Sequence, residues 1–191
     1  MAKTKIEIDT NQTKGDLVDQ LLEQHELVRR AINGVARTTT AESRQEAFDA
    51  LRELLARHET AEEMIVRPLT RDIDNGEAVA EARMDEENES KVVLKELENL
   101  DIASVEFART FETFAKSVLE HAIAEETYEF PLLRTLDAEK LENAERQFLL
   151  AEKTAPTHPH PSARSTAMNF VAGPFAAVAD RARDAVSRVK S

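Results

Sequence analysis

The chain carries one long internal repeat, and that repeat limits what it can fold into more than any other feature. The run from His58 to Arg71, HETAEEMIVRPLTR, returns from His121 to Arg134 as HAIAEETYEFPLLR. In register the copies share His58/His121, Ala61/Ala124, Glu62/Glu125, Glu63/Glu126, Pro68/Pro131, Leu69/Leu132 and Arg71/Arg134. A His and a Glu four residues apart stand on one helix face with Cβ atoms roughly 5–6 Å apart, close enough for one metal ion to bind both. Steps of three and four give Phe48, Leu51, Leu55, His58, Glu62, Ile65, Leu69 in the first copy. The second gives Phe111, Phe114, Val118, His121, Glu125, Tyr128, Leu132. Each His/Glu pair therefore interrupts an apolar stripe.

One carbonyl satisfies a buried imidazole, so a lone His on such a stripe says little. An unpaired carboxylate in a low-dielectric core costs several kcal/mol, and each stripe carries one. A shared cation is the simplest explanation of both pairs; an ordinary buried polar network is the alternative.

The 191 residues suffice for one domain with a real core. Richness in Ala, Glu, Leu and Arg, with only four Gly, one Tyr and no Trp, points to an all-α protein. Without Cys, any metal must be held by nitrogen and oxygen. The first residues lack the apolar core of a secretory signal, and no run approaches the ~20 apolar residues of a membrane helix, so a cytoplasmic location is expected. A net charge of −12 repels phosphate backbones and anionic lipid, which disfavours nucleic-acid and membrane partners.

Residues 1–12 read as a polar arm. A first helix, capped by Thr13 with Asp16, carries Val18, Leu21, His25, Val28 and Ile32 on one stripe. Ser43 and Glu46 form a capping-box pair for the second helix, in which Pro68 predicts a kink. A polar third helix covers about 77–99, and Ser104 caps the fourth. Short connections predict an up-down-up-down four-helix bundle over 13–135. Asp137 starts an additional helix over 136–153, with Leu136 and Leu141 as a hydrophobic staple. A Pro/His linker over 154–165 and an amphipathic helix over 166–191 follow, the helix offering a surface for a protein partner or self-association.

Helices joined by a turn mirror their positions about it. Residue 60, reflected about a turn near 74, lands near 88 on the third helix, where Glu86, Glu87 and Glu89 stand. Reflected about the turn near 41, it lands close to His25. Periodicity does not separate Glu86 from Glu87.

A lone His on helix one with HxxxE on helices two and four resembles the hemerythrin-like HHE cation-binding proteins, over about residues 15–135. The doubled motif, with a proline ten residues after each His, is specific. The resemblance implies a centre of two non-haem irons, oxo- or hydroxo-bridged, with Glu62 and Glu125 bridging. His25 and His58 would bind one iron, and His121 with a third-helix ligand the other. Family members usually place a His there and this chain has none, so Glu87 is the expected donor, with Glu86 the alternative and Glu59 a further candidate at the first iron.

A carboxylate in place of imidazole favours ferric over ferrous iron, which argues against reversible oxygen carriage. The expected function is binding of, and reaction with, O2, H2O2 or NO, including peroxide decomposition. The alternative is an iron- or oxygen-sensing module without turnover that signals through its C-terminal helix; a metal-free structural bundle is a third reading. Manganese or zinc could replace iron, although zinc suits six ligands poorly. Tyr128 is expected inside the bundle, filling space or donating a hydrogen bond near the metals. Glu63 and Glu126 are expected to be solvated or paired with Arg67 and Arg134, and His158 and His160 to be exposed.

Overall fold

A computed structural model describes residues 15–158, and all its regular structure is helical. The polar arm, His160 and the amphipathic C-terminal helix expected from the sequence lie outside those residues. Helix α1 spans Leu17–Arg37. Helix α2 runs through Ala41–Ala61, a π turn at Glu62–Val66 and Arg67–Arg71. Helix α3 is Gly76–Leu97. Helix α4 repeats the plan of α2, with Val105–Ala124, a π turn at Glu125–Glu129 and Phe130–Leu133. Helix α5 is Ala138–Thr154.

The ends follow from local chemistry. Asp16 caps α1, accepting from the Val18 and Asp19 amides at 3.0 and 3.1 Å, and the Asp19 side chain closes a capping box. Thr40, three residues before the expected Ser43, caps α2 because its hydroxyl accepts from the Ser43 amide. Ser104 and Asp137 cap α4 and α5 as their sequence positions predict. Between α2 and α3 the chain turns through Asn75 at φ 66° into Gly76, where a Cβ would lie 1.8 Å from the Thr70 carbonyl oxygen. Only glycine permits that approach, and it presses the end of α2 against the start of α3.

The expected kink at Pro68 takes a particular form. Proline has no N–H, and its ring would collide with the carbonyl four residues back in an α-helix. The chain widens by one residue instead: the Arg67 N–H bonds Glu62 O, and in α4, just before Pro131, the Phe130 N–H bonds Glu125 O. Every position after the wide turn is thereby rotated by about 100° from where a regular helix would put it.

Two apolar clusters flank a polar centre. Val28, Ile32, Phe48, Leu51, Leu55, Leu94, Phe107, Phe111 and Phe114 fill one end of the bundle. Leu17, Leu21, Val66, Phe130, Leu133, Leu141 and Phe148 fill the other, where α5 packs on α1 and α2. The chain after α5 is not exposed as expected: Thr157 and His158 are buried, with the His158 ring bonded to the Glu98 carboxylate. No described helix is long and apolar enough to cross a membrane.

Candidate metal centre

The polar centre lies where the wide turns begin, because Glu62 and Glu125 are the first residues of those turns. Two groups of side chains converge there. One contains His25, His58, Glu62 and Glu125; the other contains Glu62, Glu87, His121 and Glu125. Within each group one ligand atom from every residue lies within 4.8 Å of all the others. Glu62 and Glu125 belong to both. His25 comes from α1 and Glu87 from α3, the latter one of the three glutamates to whose level reflection about the turns leads.

The donors meet a simple test of fit. His25 Nε2, Glu62 Oε1, Glu87 Oε2, His121 Nε2 and Glu125 Oε2 are buried without a hydrogen-bond partner. Buried polar atoms are otherwise almost always satisfied, so a convergent set of orphaned acceptors and ring nitrogens fits a cation. His25 Nε2 lies 3.2 Å from Glu125 Oε2, His58 Nε2 lies 3.4 Å from Glu62 Oε1, and His121 Nε2 lies 3.2 Å from Glu125 Oε1.

Each imidazole is aimed by its outer nitrogen. His25 Nδ1 meets Glu126 Oε1 at 2.7 Å, and Arg29 donates to the same oxygen at 2.7 Å. His58 Nδ1 meets Gln24 Oε1 at 2.6 Å, and Gln24 in turn donates to Glu152 Oε2 at 2.8 Å. His121 Nδ1 meets Glu86 Oε2 at 2.7 Å, with Arg83 holding Glu86 at 2.7 Å. A fixed partner on Nδ1 holds each ring so that its Nε2 points inward. Glu86 is thus a support for His121, and Glu87 is the third-helix residue that reaches the centre.

Charge in the centre is strongly perturbed. Burial, helped by the neighbouring His25, lowers the His58 imidazole to about 3, so it is neutral and able to donate its lone pair near pH 7. Burial, then the adjacent Glu125, pushes the Glu62 carboxyl well up. Burial also works against ionising Glu125, but His121 and Arg67 outweigh it and hold that carboxyl well below its usual range. Burial pushes Glu59 up to about 7, against the pull of Lys91 4.0 Å away. Glu59 falls in neither group of converging donors; it lines a cavity of about 20 Å³ beside His25, His58, His121 and Glu125.

Several expectations need correction. Tyr128 is 63 % exposed, because the wide turn carries Glu129 and Phe130 into the interior in its place. The same shift puts Val66, Arg67 and Thr70 inside, where the periodic stripe predicted Ile65 and Leu69. Glu63 is buried and bonded to Lys91, while Glu126 serves His25 and Arg29. Arg134 lies at the surface with Asp16 and Asp19. Arg67, fully buried, reaches Glu62, Glu87, Glu125 and Glu129. Nothing in the apolar periodicity pointed to it; the proline after it was the only signal that the phase would change.

No curated protein and no solved structure matches the chain. A family model, described as the hemerythrin HHE cation binding domain, matches residues 16–148. That span contains every converging His and Glu, and the chain belongs to the hemerythrin HHE cation-binding family.

Proposed function

We propose that this chain is a non-haem iron protein on an up-down-up-down four-helix bundle, with positions for two irons bridged by Glu62 and Glu125, that binds and reacts with O2, H2O2 or NO. The observation that supports it is the set of buried, unpartnered donor atoms converging beside a cavity of about 20 Å³. A cavity of that size holds about one water, so only the smallest ligands could enter beside these donors. His25 and His58 would hold one ion, His121 and Glu87 the other.

Bound iron would supply the redox change and Lewis acidity; the chain supplies orientation, dryness and a proton. Gln24, Glu86 and Glu126 fix the three imidazoles. Val28, Leu55, Val118 and Ala122 wall the cavity and keep bulk water out. Glu59 lines the cavity and is placed to exchange a proton with a ligand there.

The test is metal analysis and near-ultraviolet absorption of freshly purified protein, followed by peroxide consumption. Bound iron and measurable turnover, reduced in Glu59→Gln, are expected. Full iron content in both His58→Ala and Glu125→Ala would remove those residues from the centre. Bound iron without turnover would favour the sensing role.

A further inference from the structure

The two candidate positions differ in one respect that the repeat makes visible. Nine residues after its His, the second copy has Phe130 and the first has Arg67. Phe130 lies flat against His25, with ring centroids 5.3 Å apart and an interplanar angle of 25°. Arg67 instead carries a fixed positive charge into the group formed by Glu62, Glu87, His121 and Glu125.

Its placement is that of a competing cation. Arg67 Nη2 is 3.2 Å from Glu62 Oε2 and 2.5 Å from Glu87 Oε1, and it also bonds Glu125 Oε1. One nitrogen thus engages one oxygen from each carboxylate that the His121 position would use. Arg67 Nε adds a second bond to Glu87 Oε1 at 2.7 Å. Arg67 Nη1 bonds Glu129, whose other oxygen accepts from Thr70 Oγ1 at 2.6 Å. Glu129 stands where the first copy has Val66, so both departures from the repeat serve one buried ion pair.

The oxygens facing the other position are spared. Glu62 Oε1 and Glu125 Oε2, with His25 Nε2, are without a partner. A metal entering between His25 and His58 therefore displaces nothing. A metal entering between His121 and Glu87 finds His121 Nε2 and Glu87 Oε2 free, but it must compete with Arg67 for Glu125 Oε1, the carboxylate oxygen that faces His121, and accept a permanent positive charge beside it.

Resting on the reading of a metal centre, we infer that Arg67 is a built-in counter-ion that makes the centre unequal: the His25/His58 position takes its ion tightly, and the His121/Glu87 position takes a second weakly. Arg67 is a positioning residue for the bridging carboxylates and sets how many ions the chain retains.

The experiment is anaerobic titration of the chelator-stripped full chain with ferrous iron, with bound metal counted after desalting and melting followed at each ratio. Wild type should retain one ion per chain, with the second about ten- to hundredfold weaker. Arg67→Met should retain two, and its melting temperature should rise more on iron addition than that of wild type. Because Arg67→Met leaves buried carboxylates without a counter-charge, the pair Arg67→Met/Glu129→Gln, which removes one charge of each sign, serves as the second variant. Two equally tight ions in wild type would overturn the inference while leaving the metal centre standing. One tight ion in wild type and in both variants would also overturn it. No bound iron in any of them would overturn the metal centre itself and the inference with it.

Discussion

Where α2 and α4 begin, the bundle is closed by rings: Phe48 meets Phe107 edge-on at 5.2 Å, and Phe107 stacks on Phe111 at 5.8 Å. Where the same two helices widen, the interior holds Glu62, Glu87, Glu125, Glu129 and Arg67 within one network. The first layer gains free energy by leaving water, whereas the second loses it unless every charge finds a counter-charge. A fold can carry the second only because the first, together with the cluster around α5, supplies the surplus. Stability and chemistry are therefore divided along the bundle axis, and variants in the two layers should respond differently to metal.

The largest expected effect belongs to the ring layer. Phe114→Ala should cost about 3–5 kcal/mol in urea unfolding, by the same amount with and without added iron. Next comes metal itself: an ion held at 100 times its dissociation constant adds about 2.7 kcal/mol, which a chelator should remove from wild type. His58→Ala should abolish that difference, while Phe114→Ala should keep it. A Phe114→Ala protein that no longer responds to iron would mean that the two layers are coupled.

A smaller effect concerns the support behind His58. Burial pushes the Glu152 carboxyl up to about 7, opposed by its bond from Gln24 and by Arg57. A carboxyl whose folded value exceeds its unfolded one binds its proton more tightly when folded, so its contribution is fully present below about pH 4.5 and is lost as pH rises through 7. Glu152→Gln, which keeps an acceptor for Gln24, should flatten the fall in stability across that window and gain on the order of 1 kcal/mol at pH 8. Denaturation midpoints measured at both ends of the window decide it. The smallest effect is at Tyr128: Tyr128→Phe should change stability by less than about 0.5 kcal/mol and leave iron content unaltered. A loss of iron there would contradict its exposed position.

Much of this division was legible in the chain. The stripe from Phe111 through Val118 to His121 and Glu125 follows the 3.6-residue period, and the structure buries Phe111, Phe114, Val118 and Glu125 along it and leaves His121 half-buried. Reflection about the turns brought His25 and the 86–89 region level with the repeat. It could not choose between Glu86 and Glu87, which lie one residue apart; the structure uses both, one inside and one behind His121. Beyond Glu62 and Glu125 the period failed, since a wide turn shifts the phase by one residue. Pro68 and Pro131 were visible, but the way a helix absorbs a proline depends on packing. Arg67 was expected only as a partner of Glu63; its burial was missed because an arginine is normally a surface residue, and only four carboxylates in three dimensions make that burial tolerable.

The paired wide turns also bear on how such a chain can change. One surplus residue in each long helix works like an offset between two halves of a shaft: side chains before it and after it answer to separate alignments. Substitutions ahead of Glu62 or Glu125 are constrained by the aromatic layer, and those behind them by the carboxylate layer. The same fourteen-residue unit has thereby been able to carry an arginine at its tenth position in one copy and a phenylalanine in the other without disturbing what precedes it.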